Sequence, residues 1–428
     1  MKHILIIVSI LTALSCQAQI WTLDSCINYA IEHNITVQER ALDKINADNQ
    51  ISEAKSAFLP TAAASASQSF NFGRGLTSEN MYANRNTANT QWNVGINLPI
   101  FQGLSNIRQL AYAKASLRAI VESYEAAKDD VTLNVISLYL QALYNEEIYA
   151  IAKEQEALSA NELQRRHDLM EAGKIQEIDV LEAQALLAQD QLATVNAHND
   201  YTMALVDLAQ LLHLRQPEQM QIAPVDSPLP IIPEANIVYQ KALTSNHYII
   251  SGKERITAAQ RYTDVAKTGY MPRLNFNAGI GSSYYKVSGF DSPAFSTQMH
   301  DNFNTYLGFS LSIPIFDAFS TRNNVRKARI QLLTAKLDLE QAEDNLFKAI
   351  QQSYYAAISA ATQFEASSEA ERATNAALQA ILEIYDVGRA TSTEFETARV
   401  NYLKAKSQRV RAKYELLLRT RILEFYNR

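Results

Sequence analysis

The chain has 428 residues and a formal net charge of −6, so it lacks the basic surplus that sequence-independent nucleic-acid binding requires. It contains only 12 glycines and 10 prolines. Ala, Leu, Gln, Glu and Lys are frequent, and this composition favours very long helices. After the first residues, no segment reaches the roughly 18 consecutive apolar residues of a membrane-spanning helix.

The first residues have the form of an export signal. Lys2 precedes an apolar run over residues 4–14, and Cys16-Gln17-Ala18 follows as a cleavage-like sequence. We therefore predict a signal peptide over residues 1–18. In a second interpretation Cys16 is lipidated, although the leucine that usually lies three positions before such a cysteine is absent. If Cys16 is removed with the signal peptide, Cys26 is the only cysteine left, and we expect it to be a small buried thiol without a disulfide partner.

The rest of the sequence contains two related halves. Asn34 recurs as Asn246 in similar surroundings, and Gly173 recurs as Gly388. A segment rich in proline separates the halves and is predicted to be a linker. The predicted boundaries are 19–215 for the first repeat, 216–233 for the linker and 234–428 for the second repeat.

Each half is predicted to contain a helix, two strands and two long helices. The first helix is expected over about residues 23–58. The strands are recognised by alternation of apolar residues with small polar ones, which is typical of transmembrane barrel hairpins joined by polar loops at residues 73–89 and 286–302. The predicted strands cover about 61–72, 90–98, 273–285 and 303–313. The prolines predicted to mark strand boundaries are Pro60, Pro99, Pro272 and Pro314.

The helices after the second strand of each half are unusually long. Apolar residues recur every seven positions, and residues 104–170 contain no glycine or proline. This spacing predicts coiled-coil packing. At 1.5 Å per residue, such a helix extends roughly 100 Å, a length that suits a conduit better than a globular domain.

Four strands cannot close a barrel, and unpaired strand edges cannot face lipid. Two copies would provide eight strands, and barrels of that size are filled by side chains. Three copies would provide twelve strands and a lumen. The predicted fold class is therefore a long α-helical coiled-coil barrel combined with a transmembrane β-barrel that a homotrimer completes.

With these features, the sequence resembles the TolC-type outer membrane efflux protein family. The resemblance rests on Trp21-Thr-Leu23, Cys26 with Tyr29-Ala30, Pro99-Ile-Phe101, and the sequences around Gly173 and Gly388. It covers residues 20–428. It implies a trimeric outer-membrane channel with a periplasmic helical tunnel, an adaptor protein docked on the helix tips, and an inner-membrane transporter of RND, ABC or MFS type. We expect no cofactor and no metal, because no histidine forms H-x-x-x-H or pairs with a cysteine at metal-ligand spacing.

The resemblance also implies roles for particular residues. Gly173 and Gly388 fall at the tip turns where the adaptor docks. Asp179 lies at the position where the family has an acidic residue that helps to hold neighbouring tips together. Tyr385 lies at the position of the family's gate tyrosine, and Glu394 lies where an acidic residue lines the constriction.

Two positions depart from the family pattern. Arg389 follows its glycine by one residue instead of two, and Met170 replaces a tyrosine. We nevertheless expect Asp179 and Arg389 to pair across adjacent helix pairs and hold the aperture shut. Three symmetry-related copies of Glu394 would favour cations.

The sequence contains no H-x-x-x-H, G-x-S-x-G or P-loop pattern, so we expect a protein that is not an enzyme. The alternative is a periplasmic scaffold in which the alternating segments form a small soluble sandwich. Recovery from the outer membrane as an oligomer would favour the channel, and recovery from the soluble periplasm would favour the scaffold.

Overall fold

A computed structural model describes residues 20–76, 80–84, 86–217, 220–225 and 231–428. The predicted signal peptide, Cys16 and part of the predicted linker lie outside these residues. No helix in the described ranges is long and apolar enough to cross a membrane.

The chain divides into two compact units. The helical unit contains the residues up to Leu42 together with Glu122–Ile250 and Glu340–Arg428. The sheet unit contains Asp43–Val121 and Ser251–Leu339. Two long helices run through both units.

The described residues contain four helices near the starts of the two halves, four long helices that follow the strands, and one short helix between two strands of the second half. They are α1 Leu23–His33, α2 Ile35–Ser56, α3 Ser105–Glu171, α4 Glu177–Leu211, α5 Ala235–Ser245, α6 His247–Lys267, α7 Phe295–Asp301, α8 Ser320–Asp386 and α9 Ser392–Tyr426. Helices α3 and α8 each have 67 residues, and α4 and α9 each have 35.

The strands of the described residues form one large sheet and two small pairs. They are β1 Ile20–Trp21, β2 Thr61–Asn71, β3 Arg74–Leu76, β4 Tyr82–Asn84, β5 Thr87–Phe101, β6 Gln221–Ile222, β7 Arg273–Val287 and β8 Asn304–Ser312. The segments predicted to be plain polar loops thus contain the β3–β4 pair and the short helix α7.

The predicted single helix over residues 23–58 is wrong, because Asn34 separates α1 from α2. The backbone of Asn34 is extended, with φ −67° and ψ 129°. The side-chain oxygen of Asn34 accepts the N–H of Thr36 at 2.9 Å, and so caps the start of α2. Asn246 separates α5 from α6 in the same way, accepting the N–H of Tyr248 at 3.0 Å.

The core of the helical unit surrounds Tyr139 of α3. This side chain is fully buried, and its hydroxyl lies 2.6 Å from the carbonyl oxygen of Ala223 and 2.9 Å from that of Trp21. Burial raises the pKa of Tyr139 to about 12. Cys26 belongs to the same core and is buried and free, as predicted.

The four-stranded sheet has the order β2–β5–β7–β8, and all its pairs are antiparallel. Pro60 and Pro272 lie directly before β2 and β7, and Pro314 follows β8. Pro99 is not a boundary, because β5 continues past it to Phe101. The register shifts between these two residues, and such an irregularity accommodates a residue that has no N–H to donate.

Candidate functional site

The register of the sheet brings the apolar side chains of all four strands onto one face. Ala64 pairs with Val94, Val94 with Ile280, and Ile280 with Thr305, so these positions share a face with Leu307. Leu307 is 74% exposed. A large apolar surface is therefore uncovered within the described chain, as expected of a surface that contacts a partner or lipid.

The opposite face carries small and polar side chains that bond across the strands. The Asn97 Nδ2 group donates to Asn277 Oδ1 at 2.7 Å, and the Asn277 Nδ2 group donates to Ser310 Oγ at 3.2 Å. These bonds link β5, β7 and β8. The face can therefore contact water while its amide groups remain hydrogen-bonded.

Glycines on the polar face make room for a single large ring. A Cβ atom at Gly279 would lie 2.6 Å from the hydroxyl oxygen of Tyr306, and one at Gly95 would lie 3.1 Å from it. The Tyr306 ring thus covers two adjacent strands; a Cβ at Gly279 would overlap the ring, and one at Gly95 would be in tight contact with it.

The outer strands β2 and β8 each have one neighbour in the sheet. Every residue of β2 is exposed, and so is nearly every residue of β8. Their free backbone groups are the sheet's two open edges, and an open edge is a surface on which another strand can pair.

The helix pairs α3–α4 and α8–α9 turn at Gly173 and Gly388, which have φ values of +71° and +74°. At the first turn, the N–H groups of Gly173 and Lys174 bond to the carbonyl oxygens of Met170 and Leu169 at 2.8 and 2.9 Å. Arg389 and Gly388 make the equivalent bonds in the second turn. Both glycines therefore end a helix in the left-handed conformation that glycine adopts without strain.

Asp179 and Glu394 occupy equivalent positions, each being the third residue of the second helix in its pair. An Asp179 oxygen accepts the N–H of Gln176 at 3.0 Å. Glu394 accepts the N–H of Thr391 at 2.7 Å and its hydroxyl at 2.8 Å, which lowers the pKa of Glu394. Both acids stabilise helix starts through capping contacts.

A polar cluster joins α3 to the start of α4 and to both helices of the second pair. We call Glu162, Arg166, Tyr385 and Ser392 the tip cluster. The Tyr385 hydroxyl donates to Glu162 at 2.6 Å, and Arg166 Nε donates to the same oxygen at 3.0 Å. Arg166 also donates to the carbonyl oxygen of Asp179 at 3.0 Å and to the Ser392 hydroxyl.

Tyr385 is further held by its ring. The ring stacks on Phe395 with centroids 4.9 Å apart and planes 2° from parallel, and the Arg165 guanidinium lies 4.6 Å from its centroid. Burial, followed by the bond to Glu162, raises the pKa of Tyr385. The hydroxyl therefore remains a proton donor at neutral pH.

The structure does not bring the predicted Asp179–Arg389 pair together within one chain. The Asp179 carboxylate caps Gln176. No ion pair of Arg389 is present among the described residues. Near the turns, the tip cluster makes contacts between the two helix pairs; Tyr385 was predicted as a gate residue, whereas Glu162, Arg166 and Ser392 were not predicted. A pairing of Asp179 with Arg389 between copies stays a prediction.

A second buried group, the inner cluster, consists of Ser159, Asp190, Glu396 and Arg399. Arg399 of α9 is 2% exposed; its Nη1 group donates to Ser159 Oγ at 2.6 Å. Its Nη2 group lies 3.5 Å from Asp190 and 3.0 Å from Glu396. Ser159 also donates to Asp190. Breaking up such a group leaves a charge buried without its partner.

A signal for the inner cluster was present in the sequence. Asp190 belongs to a series of buried α4 residues spaced by seven, in which the other members are Ala183, Ala197 and Ala204. Arg399 lies between the buried Phe395 and Leu403 at spacings of four. A charged residue inside an apolar stripe indicates a buried polar partner.

The fold is that of outer-membrane channels. The Campylobacter jejuni CmeC outer membrane channel matches with a TM-score of 0.78 and 19% identity, covering 95% of this chain and 85% of that chain. The chain is also 22% identical to the outer membrane protein TolC of Escherichia coli K12 over 395 residues, which are 90% of this chain and 78% of that protein. It is 21% identical to the outer membrane efflux protein BepC of Brucella suis biovar 1 over 371 residues, covering 87% of this chain and 77% of that protein.

The sequence model of the outer membrane efflux protein family matches residues 26–213 and 238–425. The chain therefore belongs to the outer membrane efflux protein family. It is an outer-membrane transport protein with its helical part in the periplasm, which contradicts the alternative of a soluble periplasmic scaffold.

Proposed function

We propose that three copies of this chain form an outer-membrane channel through which an efflux or secretion system exports its substrates. The observation that carries the proposal is the open sheet, which has an apolar face, a polar face and two free edges. Pairing β8 of one copy with β2 of the next would satisfy both edges. Twelve strands would then close around a lumen lined by the polar face.

The helix tips are the proposed site of contact with a periplasmic adaptor. The turns at Gly173 and Gly388 are exposed on both helix pairs, together with the side chains of Lys174 and Arg389 beside them. Through the adaptor, the channel would receive substrate from an inner-membrane transporter of the RND, ABC or MFS type. Substrate passes through the channel without the making or breaking of a bond.

We assign closure of the channel at the tips to the tip cluster. Tyr385 and Ser392 belong to the second helix pair, whereas Glu162 and Arg166 belong to the first. The bonds between them hold the two pairs in one arrangement. Because Glu162 and Arg166 are both buried, losing the Tyr385 hydroxyl leaves a carboxylate oxygen with one donor fewer in a poorly solvated place.

Single-channel conductance in planar bilayers tests both the channel and its closure. The purified protein is expected to give discrete conductance steps, and Tyr385→Phe is expected to raise the conductance. Tyr355→Phe is the matched control, because Tyr355 is 66% exposed on α8. Absence of any steps would overturn the channel, and equal conductance of Tyr385→Phe and the control would overturn the assigned closure.

The predicted contact between copies has a separate test. If Asp179 and Arg389 pair between neighbouring subunits, Asp179→Ala and Arg389→Ala should each raise the conductance. Unchanged conductance in both variants would refute the pair. Glu394→Gln tests the acidic constriction, since glutamine also completes a capping box. A reversal potential identical to that of the unsubstituted channel would contradict a cation-selective ring of Glu394.

A further inference from the structure

The short helix α7 folds back on the end of β7. Strand β8 begins at Asn304, which pairs with Gly281, so β7 extends past the end of its neighbour. Gln298 of α7 occupies this free edge. Its side-chain oxygen accepts the N–H of Tyr285 at 3.0 Å, and its Nε2 group donates to the Tyr285 carbonyl at 3.1 Å. The amide thus makes the two bonds that a neighbouring strand would make.

Two further contacts fix the segment in this position. The Ser282 hydroxyl donates to the carbonyl oxygen of Met299 at 2.7 Å. The Asn302 Nδ2 group donates to the carbonyl oxygen of Ser283 at 2.6 Å. The backbone groups of Ser283 and Tyr285 and the hydroxyl of Ser282 are therefore bonded by α7 and Asn302, and the free edge of β7 is covered at these positions.

The segment lies on the apolar face of the sheet. Ser282 and Tyr284 point to the same face as Ile280, because side chains alternate along a strand. The ring of Phe295 meets the ring of Tyr284 edge to face, with centroids 5.1 Å apart. On the neighbouring strand, Trp92 lies with its ring centroid 6.4 Å from that of Phe303.

We name Trp92, Tyr284, Phe295 and Phe303 the aromatic patch. Phe295 and Phe303 are 53% and 52% exposed, so about half of each ring is not covered within the described chain. The patch continues the apolar face that runs from Leu274 to Ile280. Its position along β7 is informative, since a strand crosses the apolar part of a bilayer in about 9–11 residues.

If β7 enters the apolar part of the bilayer at Leu274, a span of about 9–11 residues ends near Ser282 and Tyr284. These residues would then lie at the interface between the membrane and water, where tyrosine and tryptophan are enriched. The exposed side chains of Ser296, Thr297 and His300 on α7 suit the polar headgroup layer. The strand end in question is the one remote from α6, which precedes β7.

We propose that α7 and the aromatic patch lie in the headgroup layer of the outer leaflet, with the patch in contact with lipid. The proposal rests on the proposed function, because it takes the apolar face to be in contact with lipid. The aromatic patch would contact the boundary between the lipid headgroups and the acyl chains. Side chains such as tyrosine and tryptophan suit this boundary, because their rings are apolar at one end and polar at the other. The helix thereby covers the edge of β7 from the membrane side.

The test measures depth with a fluorescent thiol label on four single-cysteine variants reconstituted into phosphatidylcholine vesicles. Phe295→Cys and Phe303→Cys report on the patch, Leu307→Cys on the middle of the apolar face, and Ser310→Cys on the polar face. Bromine near the headgroups or deep in the acyl chains quenches at known depths, and iodide quenches from water. The unsubstituted protein controls for labelling of native cysteine, and Cys26 is buried.

We expect shallow bromine to quench positions 295 and 303 most, deep bromine to quench position 307 most, and iodide to quench position 310. Quenching of positions 295 and 303 by iodide alone, with position 307 still quenched by deep bromine, would overturn the proposal for α7 and leave the channel intact. Failure of deep bromine to quench position 307 would overturn the lipid-facing sheet, and the proposal with it. Either Phe295→Cys or Phe303→Cys suffices if the other variant does not fold.

Discussion

The sheet and the helix tips use polar groups in opposite ways. On the sheet, side-chain amides such as that of Asn277 form hydrogen bonds across the strands on the polar face. Water can also form hydrogen bonds with amides on such a face. At the tips, Arg166 and Arg399 are 5% and 2% exposed and depend on protein partners. The sheet should therefore be sensitive to where a new charge is placed, whereas the tips should be sensitive to the loss of a single partner.

The largest expected effect is at the inner cluster. Arg399→Ala leaves the buried Asp190 without its charged partner and should lower the free energy of unfolding by about 3–5 kcal/mol. Denaturant unfolding of the purified protein, followed by circular dichroism, measures the change. The double variant Asp190→Ala with Arg399→Leu should recover most of the loss. Arg372→Ala is the surface control, since that side chain is 78% exposed. Equal effects of Arg399→Ala and Arg372→Ala would contradict the account.

The next largest effect is the difference in stability between charged substitutions on the two faces of β8. Leu307→Arg places a charge on the apolar face and should destabilise the membrane-inserted protein by about 2–4 kcal/mol if that face meets the bilayer core. Ser310→Arg, on the polar face of the same strand, should be much milder. The inserted fraction after refolding into vesicles, across a series of urea concentrations, reports the difference. Equal tolerance of the two arginines would remove the distinction between the faces.

A smaller effect is expected at the tip turns. Gly173→Ala and Gly388→Ala place a Cβ on a residue with positive φ, which should cost about 1–2 kcal/mol each. Gly308→Ala is the matched control, because Gly308 lacks a positive φ and its Cβ would also meet open space. Thermal unfolding of the purified protein compares the three variants. If Gly308→Ala were as destabilising as the two turn variants, the left-handed turn would not be the cause.

The smallest effect is a pH dependence at the inner cluster. Burial raises the pKa of Glu396, although Arg399 and Arg166 oppose this. Because the folded-state pKa is raised, the stability contributed by Glu396 is present below its ordinary pKa and is lost as the pH rises through the raised value. Glu396→Gln should flatten this decline in unfolding midpoints measured across mildly acidic pH. A slope unchanged by the substitution would show that Glu396 does not titrate there.

The sequence predicted the sheet better than the tips for a physical reason. Strand alternation, as in Trp92, Val94 and Ile96, depends on neighbouring residues and is visible without knowledge of contacts. Tyr385 and Glu162 lie far apart in sequence, and their bond depends on how the two helix pairs pack. Analogy with the family proposed the pair Asp179 and Arg389, which stays a prediction between copies; within one chain the Asp179 carboxylate accepts the N–H of Gln176.

Other differences came from signals that are local but easily overlooked. Asn34 interrupts a continuous helical pattern because its short side chain bonds its own backbone two residues ahead. Thr391 and Glu394 have the spacing of a capping box, so the role of Glu394 at a helix start was readable from the sequence. Helix α7 has only 7 residues, and its position depends on side-chain bonds to β7.

The central claim is that copies of the chain complete the wall that one sheet leaves open. Native mass spectrometry of the protein extracted from outer membranes in detergent tests it most directly. The account predicts a single assembly with three times the mass of the mature chain, and loss of that assembly when β8 is interrupted by Leu307→Pro. A stable monomer of the unsubstituted protein after gentle extraction, or an intact trimer of the Leu307→Pro variant, would contradict it.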